Sequence, residues 1–123
     1  MTKPLQQVVN ERTGRTVLTA VRQAEGVWGS FMGLMLKKGM PNGHGLMFRK
    51  PRGIHTQFMR FPIDLIYVDQ ENRVTKVREA MLPWRFDFTN AAGLIETNPG
   101  AARAMDIRVG DLLRFEPVGG SKS

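Results

Sequence analysis

The sequence predicts a mainly β fold with a minor helical part, namely a small antiparallel barrel or sandwich with one packed amphipathic helix near residues 25–37. Two observations predict this class. Short runs rich in β-branched and aromatic residues recur at close spacing, and loops rich in glycine, asparagine and proline separate them. A length of 123 residues with 41% hydrophobic content suits one core. We predict a single domain over residues 1–118 and a loose tail over residues 119–123.

The chain opens with two predicted strands, at residues 5–10 and 16–22. Between them lies a short stretch in which Gly14 can adopt the left-handed conformation of a hairpin loop. The predicted helix follows, because apolar residues recur there with the spacing of one helix face. They are Trp28, Phe31, Met32, Met35 and Leu36.

The remaining predicted strands are short, and they lie at residues 46–48, 54–59, 63–68, 73–79, 83–88, 94–97 and 112–115. The polar residues 69–72 form a turn, across which strand 63–68 is expected to pair with strand 73–79. The return strand alternates imperfectly, which predicts a bulge or an edge position. One or two helical turns are expected at residues 101–105, after Pro99 and Gly100.

Composition limits the classes of function. The chain has no cysteine, which excludes disulfide scaffolds, thiolate zinc sites and cysteine nucleophiles. It has 18 Lys and Arg against 11 Asp and Glu, a net charge of +7 that could attract nucleic acid or anionic ligands. The N-terminal residues lack the apolar run of a signal peptide, and no stretch has the length of a membrane span. We therefore expect a cytoplasmic protein that does not contact a membrane.

Five blocks in a fixed order carry a resemblance to a known family. They are Gly33-Leu34-Met35, Gly45-Leu46-Met47-Phe48, residues 54–69, Leu94-Ile95-Glu96 and Ile107-Arg108-Val109-Gly110-Asp111. Together they resemble the bacterial and archaeal family catalogued as domain of unknown function 192, over about residues 17–115. The resemblance implies a compact, mostly β fold and no established reaction. In the central block, only Pro62 and Asp64 match the sequence motif that is commonest in the family.

The most promising candidate site is a cluster of polar groups inside the apolar run at residues 54–69. If residues 63–68 form a strand, alternation places Asp64 on one face with Ile66 and Val68. A carboxylate there either accepts several hydrogen bonds or a salt bridge, or has a raised pKa and a catalytic role. Pro62 suggests a strand end at a rim, where small β folds build binding sites. The predicted binding residues are His55, Thr56, Arg60, Asp64 and Glu96.

Three functional hypotheses remain open. The preferred one is a non-enzymatic module that binds a small polar or anionic ligand, or a protein partner, at this rim. The second is an RNA- or DNA-binding domain that uses Arg49, Lys50 and Arg52. The third is a small hydrolase or isomerase with Asp64 or Glu96 as general base. No spacing fixes two metal ligands on one element and no phosphate-binding glycine motif is present, so we expect neither a metal nor another cofactor.

Overall fold

The computed structural model describes residues 5–23, 41–49, 53–55, 62–81, 86–88 and 91–118. The predicted helix near residues 25–37 and the tail at 119–123 lie outside these ranges. The described strands are β1 (Gln6–Asn10), β2 (Arg15–Gln23), β3 (His44–Arg49), β4 (Gly53–His55), β5 (Ile63–Val68), β6 (Val74–Met81), β7 (Phe86–Phe88), β8 (Gly93–Thr97) and β9 (Leu113–Pro117). One short helix, α1 (Ala101–Ala104), precedes β9. No helix in the described ranges is long and apolar enough to cross a membrane.

Seven strands form one sheet, in the order β6-β5-β8-β3-β2-β1-β9, and β4 pairs with β7 in a separate two-stranded sheet. All neighbouring strands are antiparallel except β2 and β3, which are parallel. A parallel pair needs a long connection that returns the chain to the same end of the sheet, and 20 residues separate β2 from β3. The predicted antiparallel architecture is therefore confirmed with one parallel pair at its centre.

The seven-stranded sheet curls into a half-barrel. Its two edge strands meet at one end, where Arg73 and Leu112 form an isolated antiparallel bridge just before β6 and β9. Two further backbone bonds join the same segments: the N–H of Val74 donates to the Asp111 carbonyl at 2.8 Å, and that of Leu113 donates to the Asn72 carbonyl at 3.0 Å. The pattern of short strands in the sequence and the family resemblance both predicted a mainly β fold, and the structure confirms it.

The sheet has two different faces. The inner face carries the main core, which draws on all seven strands, α1 and the loop after it. The outer face carries a smaller group that we call the outer apolar cluster. Its buried members are Ile63, Leu65, Tyr67 and Leu94, with Leu46, Phe48 and Ala91 packed against them. Strands β5 and β8 are therefore buried on both sides, and β3 is partly covered on its outer side.

Two local predictions are confirmed by the backbone. The hairpin between β1 and β2 turns through Gly14, whose φ of 70° lies in the left-handed region and whose N–H donates to the Asn10 carbonyl at 2.7 Å. Strand β6 pairs with β5 across the predicted turn, and register shifts interrupt the pairing, as the imperfect alternation indicated. Near one shift, Ala80 has a φ of 50°, an uncommon conformation for a residue with a Cβ.

Gly45 is required by the close approach of β3 and β8. A Cβ on Gly45 would lie 3.0 Å from the backbone oxygen of Glu96, which belongs to the sheet and cannot move aside cheaply. We expect Gly45→Ala to lower the free energy of unfolding by about 1–3 kcal/mol. Urea unfolding measures this, with Gly14→Ala as the control, since a Cβ there meets nothing within 4 Å and only the backbone conformation costs energy. A Gly45→Ala protein as stable as the wild type would contradict the tight packing.

Candidate functional site

The two carboxylates of the predicted site lie on neighbouring strands but on opposite faces of the sheet. In the pairing of β5 with β8, Asp64 is opposite Thr97, and Leu65 is opposite Glu96. Cross-strand partners share a face, and consecutive residues alternate between faces. Asp64 therefore lies on the inner face with Thr97. Alternation along β5 also places Ile66 and Val68 on this face, as the sequence predicted. Glu96 lies on the outer face, so the two carboxylates do not share a surface or a metal ion.

Asp64 is fully buried and holds together three elements. Its Oδ1 accepts a hydrogen bond of 2.7 Å from the N–H of Ala80 in β6. Its Oδ2 accepts one of 3.0 Å from the N–H of Ala102 in α1. The first bond stabilises the irregular backbone of β6, and the second satisfies one of the free N–H groups that begin a helix. These contacts are those of a structural carboxylate, which was one of the two alternatives for Asp64.

Glu96 has the opposite environment. Its side chain is only 3% exposed, and within the described part of the chain its Oε1 has no hydrogen-bond partner. Burial raises the pKa of the Glu96 carboxyl from 4.5 to about 8, because a charge there would lose its hydration without gaining a partner. The carboxyl is thus mainly protonated at neutral pH. Buried polar atoms usually have partners, and an exception calls for an explanation.

The outer face around Glu96 can be described from strand register. Leu46 of β3 and Leu65 of β5 are its direct neighbours on either side. One strand further out on each side, Arg22 pairs with Leu46 and Arg78 pairs with Leu65. The Glu96 carboxyl therefore lies at the centre of a row of five side chains that crosses the outer face. In order across the strands they are Arg22, Leu46, Glu96, Leu65 and Arg78, and the two arginines at the ends are exposed. The chemistry of this row is a single neutral hydrogen-bonding group enclosed by apolar walls.

His44 was not among the predicted site residues, although it belongs to the same face as Glu96. It lies two residues before Leu46 in β3, and its pairing partner in the parallel ladder is Ala20 of β2. Alternation along β3 places both His44 and Leu46 on the outer face. The sequence showed His44 only within a glycine-rich loop, so its position beside the row depended on a register that local sequence does not specify.

The other predicted binding residues are only partly described. His55 contributes its backbone to β4, pairing with Phe86 of β7, and its side chain lies outside the described structure. Thr56 and Arg60 lie outside the described residues altogether. The predicted grouping of these three side chains with Asp64 and Glu96 therefore stays a prediction.

The basic segment of the nucleic-acid hypothesis is also only partly described, since Lys50 and Arg52 lie outside the described residues. Arg49 has internal partners: its Nη1 donates to Oδ1 of Asn72 at 3.0 Å, and its guanidinium lies 5.5 Å from the ring centroid of Phe115. Partial burial lowers the pKa of the Arg49 guanidinium. These contacts give Arg49 a packing role.

A third buried acidic residue, Asp111, ties the first hairpin loop to the chain before β9. It accepts hydrogen bonds from Asn10 Nδ2 at 2.8 Å, Arg12 Nε at 2.7 Å and the N–H of Arg108 at 2.8 Å. Burial alone would raise the pKa of Asp111, but the bonds from Arg12, Arg108 and Asn10 outweigh it and hold that pKa below its usual value. Asp111 therefore has a structural role, with two long-range side-chain partners and one local N–H.

No three His, Asp or Glu side chains of the described residues stand close enough together to hold a metal ion. The remaining site of chemical interest in the described structure is the outer-face row centred on Glu96.

These features define a class: a small β domain built on one curled sheet, with an enclosed carboxyl on its outer face. The sequence matches, over residues 8–115, the family described as "Uncharacterized ACR, COG1430", catalogued as domain of unknown function 192. The chain belongs to that family, which confirms the resemblance. The family description assigns no activity.

Similar proteins are known from archaea. A UPF0127 protein of Thermococcus kodakarensis is 31% identical over 119 residues, covering 90% of this chain and 74% of that protein. A UPF0127 protein of Thermococcus gammatolerans is 32% identical over 118 residues, covering 89% of this chain and 74% of that protein. Neither name states a function.

Two solved structures share the fold. A putative transcription regulator from Sinorhizobium meliloti superposes with a TM-score of 0.78 at 20% sequence identity, covering 93% of this chain and 95% of that one. A protein of unknown function from Novosphingobium aromaticivorans superposes with a TM-score of 0.70, also at 20% identity, covering 89% of this chain and 83% of that one. At this level of identity the likeness concerns the fold alone.

Proposed function

We propose that this protein is a non-enzymatic binding module that recognises a small polar ligand through Glu96 on the outer face of its sheet. The observation that carries the proposal is the buried Oε1 of Glu96, which lacks a hydrogen-bond partner within the described structure. Leaving a buried polar atom unsatisfied costs about 1–3 kcal/mol. A ligand that donates to this atom would recover that free energy.

The surroundings of Glu96 support binding more than catalysis. Ligand sites are mostly apolar and contain a few polar groups that fix orientation, which is the composition of the row formed by Leu46, Glu96 and Leu65. A carboxyl with a pKa of about 8 is mainly protonated at neutral pH, so it is a weak candidate for a general base. Asp64, the other candidate base, has both oxygens occupied by backbone N–H groups.

The test compares ligand-dependent stabilisation of the wild type with that of Glu96→Leu. A ligand that binds the folded state at about one hundred times its Kd stabilises by about 2.7 kcal/mol, which a thermal shift assay detects. We expect at least one compound in a panel of small polar metabolites to raise the Tm of the wild type and to leave that of Glu96→Leu unchanged.

The control is Glu71→Leu, which removes an exposed glutamate in the turn between β5 and β6. This variant should respond to the compound as the wild type does. A panel in which every stabilising compound acts equally on the wild type and on Glu96→Leu would refute the proposal.

A further inference from the structure

We propose that the part of the ligand that meets Glu96 is an uncharged amide-type group, which offers a carbonyl acceptor and an N–H donor side by side on an apolar body. This inference rests on the proposed function and specifies its ligand class. It starts from the unpartnered, 3% exposed carboxyl and from the side chains that strand register places around it.

The immediate neighbours of Glu96 exclude a charged partner for the carboxyl within the described structure. Leu46 and Leu65 flank it across the sheet, and Leu94 precedes it by two residues on the same face of β8. Transfer of an ionic group into such surroundings costs much more than transfer of an amide. An uncharged ligand group is therefore the one that this position accepts at the lowest cost.

Among the described residues, the charged groups nearest to Glu96 on the same face are cationic. Arg22 lies two strands from Glu96 on one side, and Arg78 lies two strands from it on the other. The usual spacing of strands puts the backbone of each arginine about 10 Å from that of Glu96. Lys76 of β6 is a third cation on this face, and its Nζ lies 5.1 Å from the ring centroid of Tyr67. Arg22, Arg78 and Lys76 offer no attraction to an ammonium or guanidinium group, since like charges repel.

The protonation state of Glu96 completes the match. A protonated carboxyl has one O–H donor and one carbonyl acceptor, arranged side by side in a plane. An amide presents the complementary acceptor and donor with the same geometry, so both groups can form two hydrogen bonds with each other. Ionisation removes the donor from Glu96, and the match is then lost.

The experiment uses benzamide, benzylamine and benzoate, which share one apolar ring and differ only in the polar group. Binding to the full chain is followed by the methyl resonances of Leu46 and Leu65 in a ¹³C-labelled sample. We expect benzamide to bind more tightly than the other two at about pH 6. Its affinity should fall by about tenfold for each pH unit above the titration of Glu96.

Glu96→Gln is the decisive variant, because its amide retains one donor and one acceptor but cannot ionise. It should bind benzamide within about fivefold of the wild type, with no loss of affinity at alkaline pH, while Glu96→Leu should lose the binding. Tighter binding of benzylamine or benzoate, loss of benzamide binding in Glu96→Gln, or no binding of benzamide would overturn the inference. If the metabolite panel still yields a Glu96-dependent ligand, only the ligand class has failed and the proposed function stands.

Discussion

Unfolding experiments at increasing pH should show a loss of stability of about 5 kcal/mol that depends on Glu96 alone, since its pKa rises from 4.5 to about 8 on folding. Below about pH 4.5, the group is protonated in both states and has no effect on the balance. Between the two pKa values, the unfolded chain releases the proton and the folded chain retains it, so stability falls by about 1.4 kcal/mol per pH unit. Above about pH 8, the loss is complete.

The measurement is the urea-induced unfolding free energy at about pH 5, 7 and 9 for the wild type and Glu96→Gln. Other groups titrate in this range, and the variant retains all of them, so the difference between the two curves isolates Glu96. We expect the variant to lose less stability than the wild type as the pH rises. Parallel curves for the two proteins would show that Glu96 has a charged or hydrated environment in the folded protein.

The same physics predicts that Glu96→Leu is more stable than the wild type near neutral pH, by about 3 kcal/mol. A leucine has similar volume, fits the outer apolar cluster and carries no proton to retain. Stabilisation by removal of a functional group is the usual sign of a residue kept for a purpose other than stability. This gain, together with the loss of ligand response expected for the same variant, would separate binding from folding at one position.

The second large effect is expected at Asp64. Asp64→Ala leaves the N–H groups of Ala80 and Ala102 without their acceptor in a buried position, and we expect it to lower the unfolding free energy by about 3–5 kcal/mol. Asp64→Asn preserves the shape but replaces one acceptor with a donor that faces an N–H, which should cost about 2–4 kcal/mol. Denaturant unfolding at neutral pH measures both variants.

Thr97→Val provides the matched control, because Thr97 is the cross-strand partner of Asp64 and its hydroxyl donates one bond of 2.8 Å to the His44 carbonyl. Its loss should cost about 1 kcal/mol. Well below its unfolding temperature, Asp64→Asn should still bind the ligands of the wild type. Near-normal stability of Asp64→Asn combined with a loss of ligand binding would assign Asp64 to the site instead of the framework.

Local patterns in the sequence were sufficient for much of the fold. The first hairpin, the paired strands on either side of residues 69–72 and the short helix after Gly100 all follow from neighbouring residues, and the structure contains each of them. The parallel pairing of β2 with β3 did not follow from local patterns. It depends on a connection of 20 residues, and pattern reasoning does not specify where such a connection returns.

The candidate site divides along the same line. Alternation within β5 established that Asp64 faces away from Leu65, and it established nothing about which face is closed by α1 or which strand lies alongside. Pairing of β5 with β8 brings residues about 30 positions apart into register, and it places Asp64 and Glu96 on opposite sides of one sheet. The residue types that carry the chemistry were therefore readable from the sequence, because they are properties of single positions. Their partners, burial and protonation state were decided by the tertiary structure, because each depends on groups brought together across the sheet.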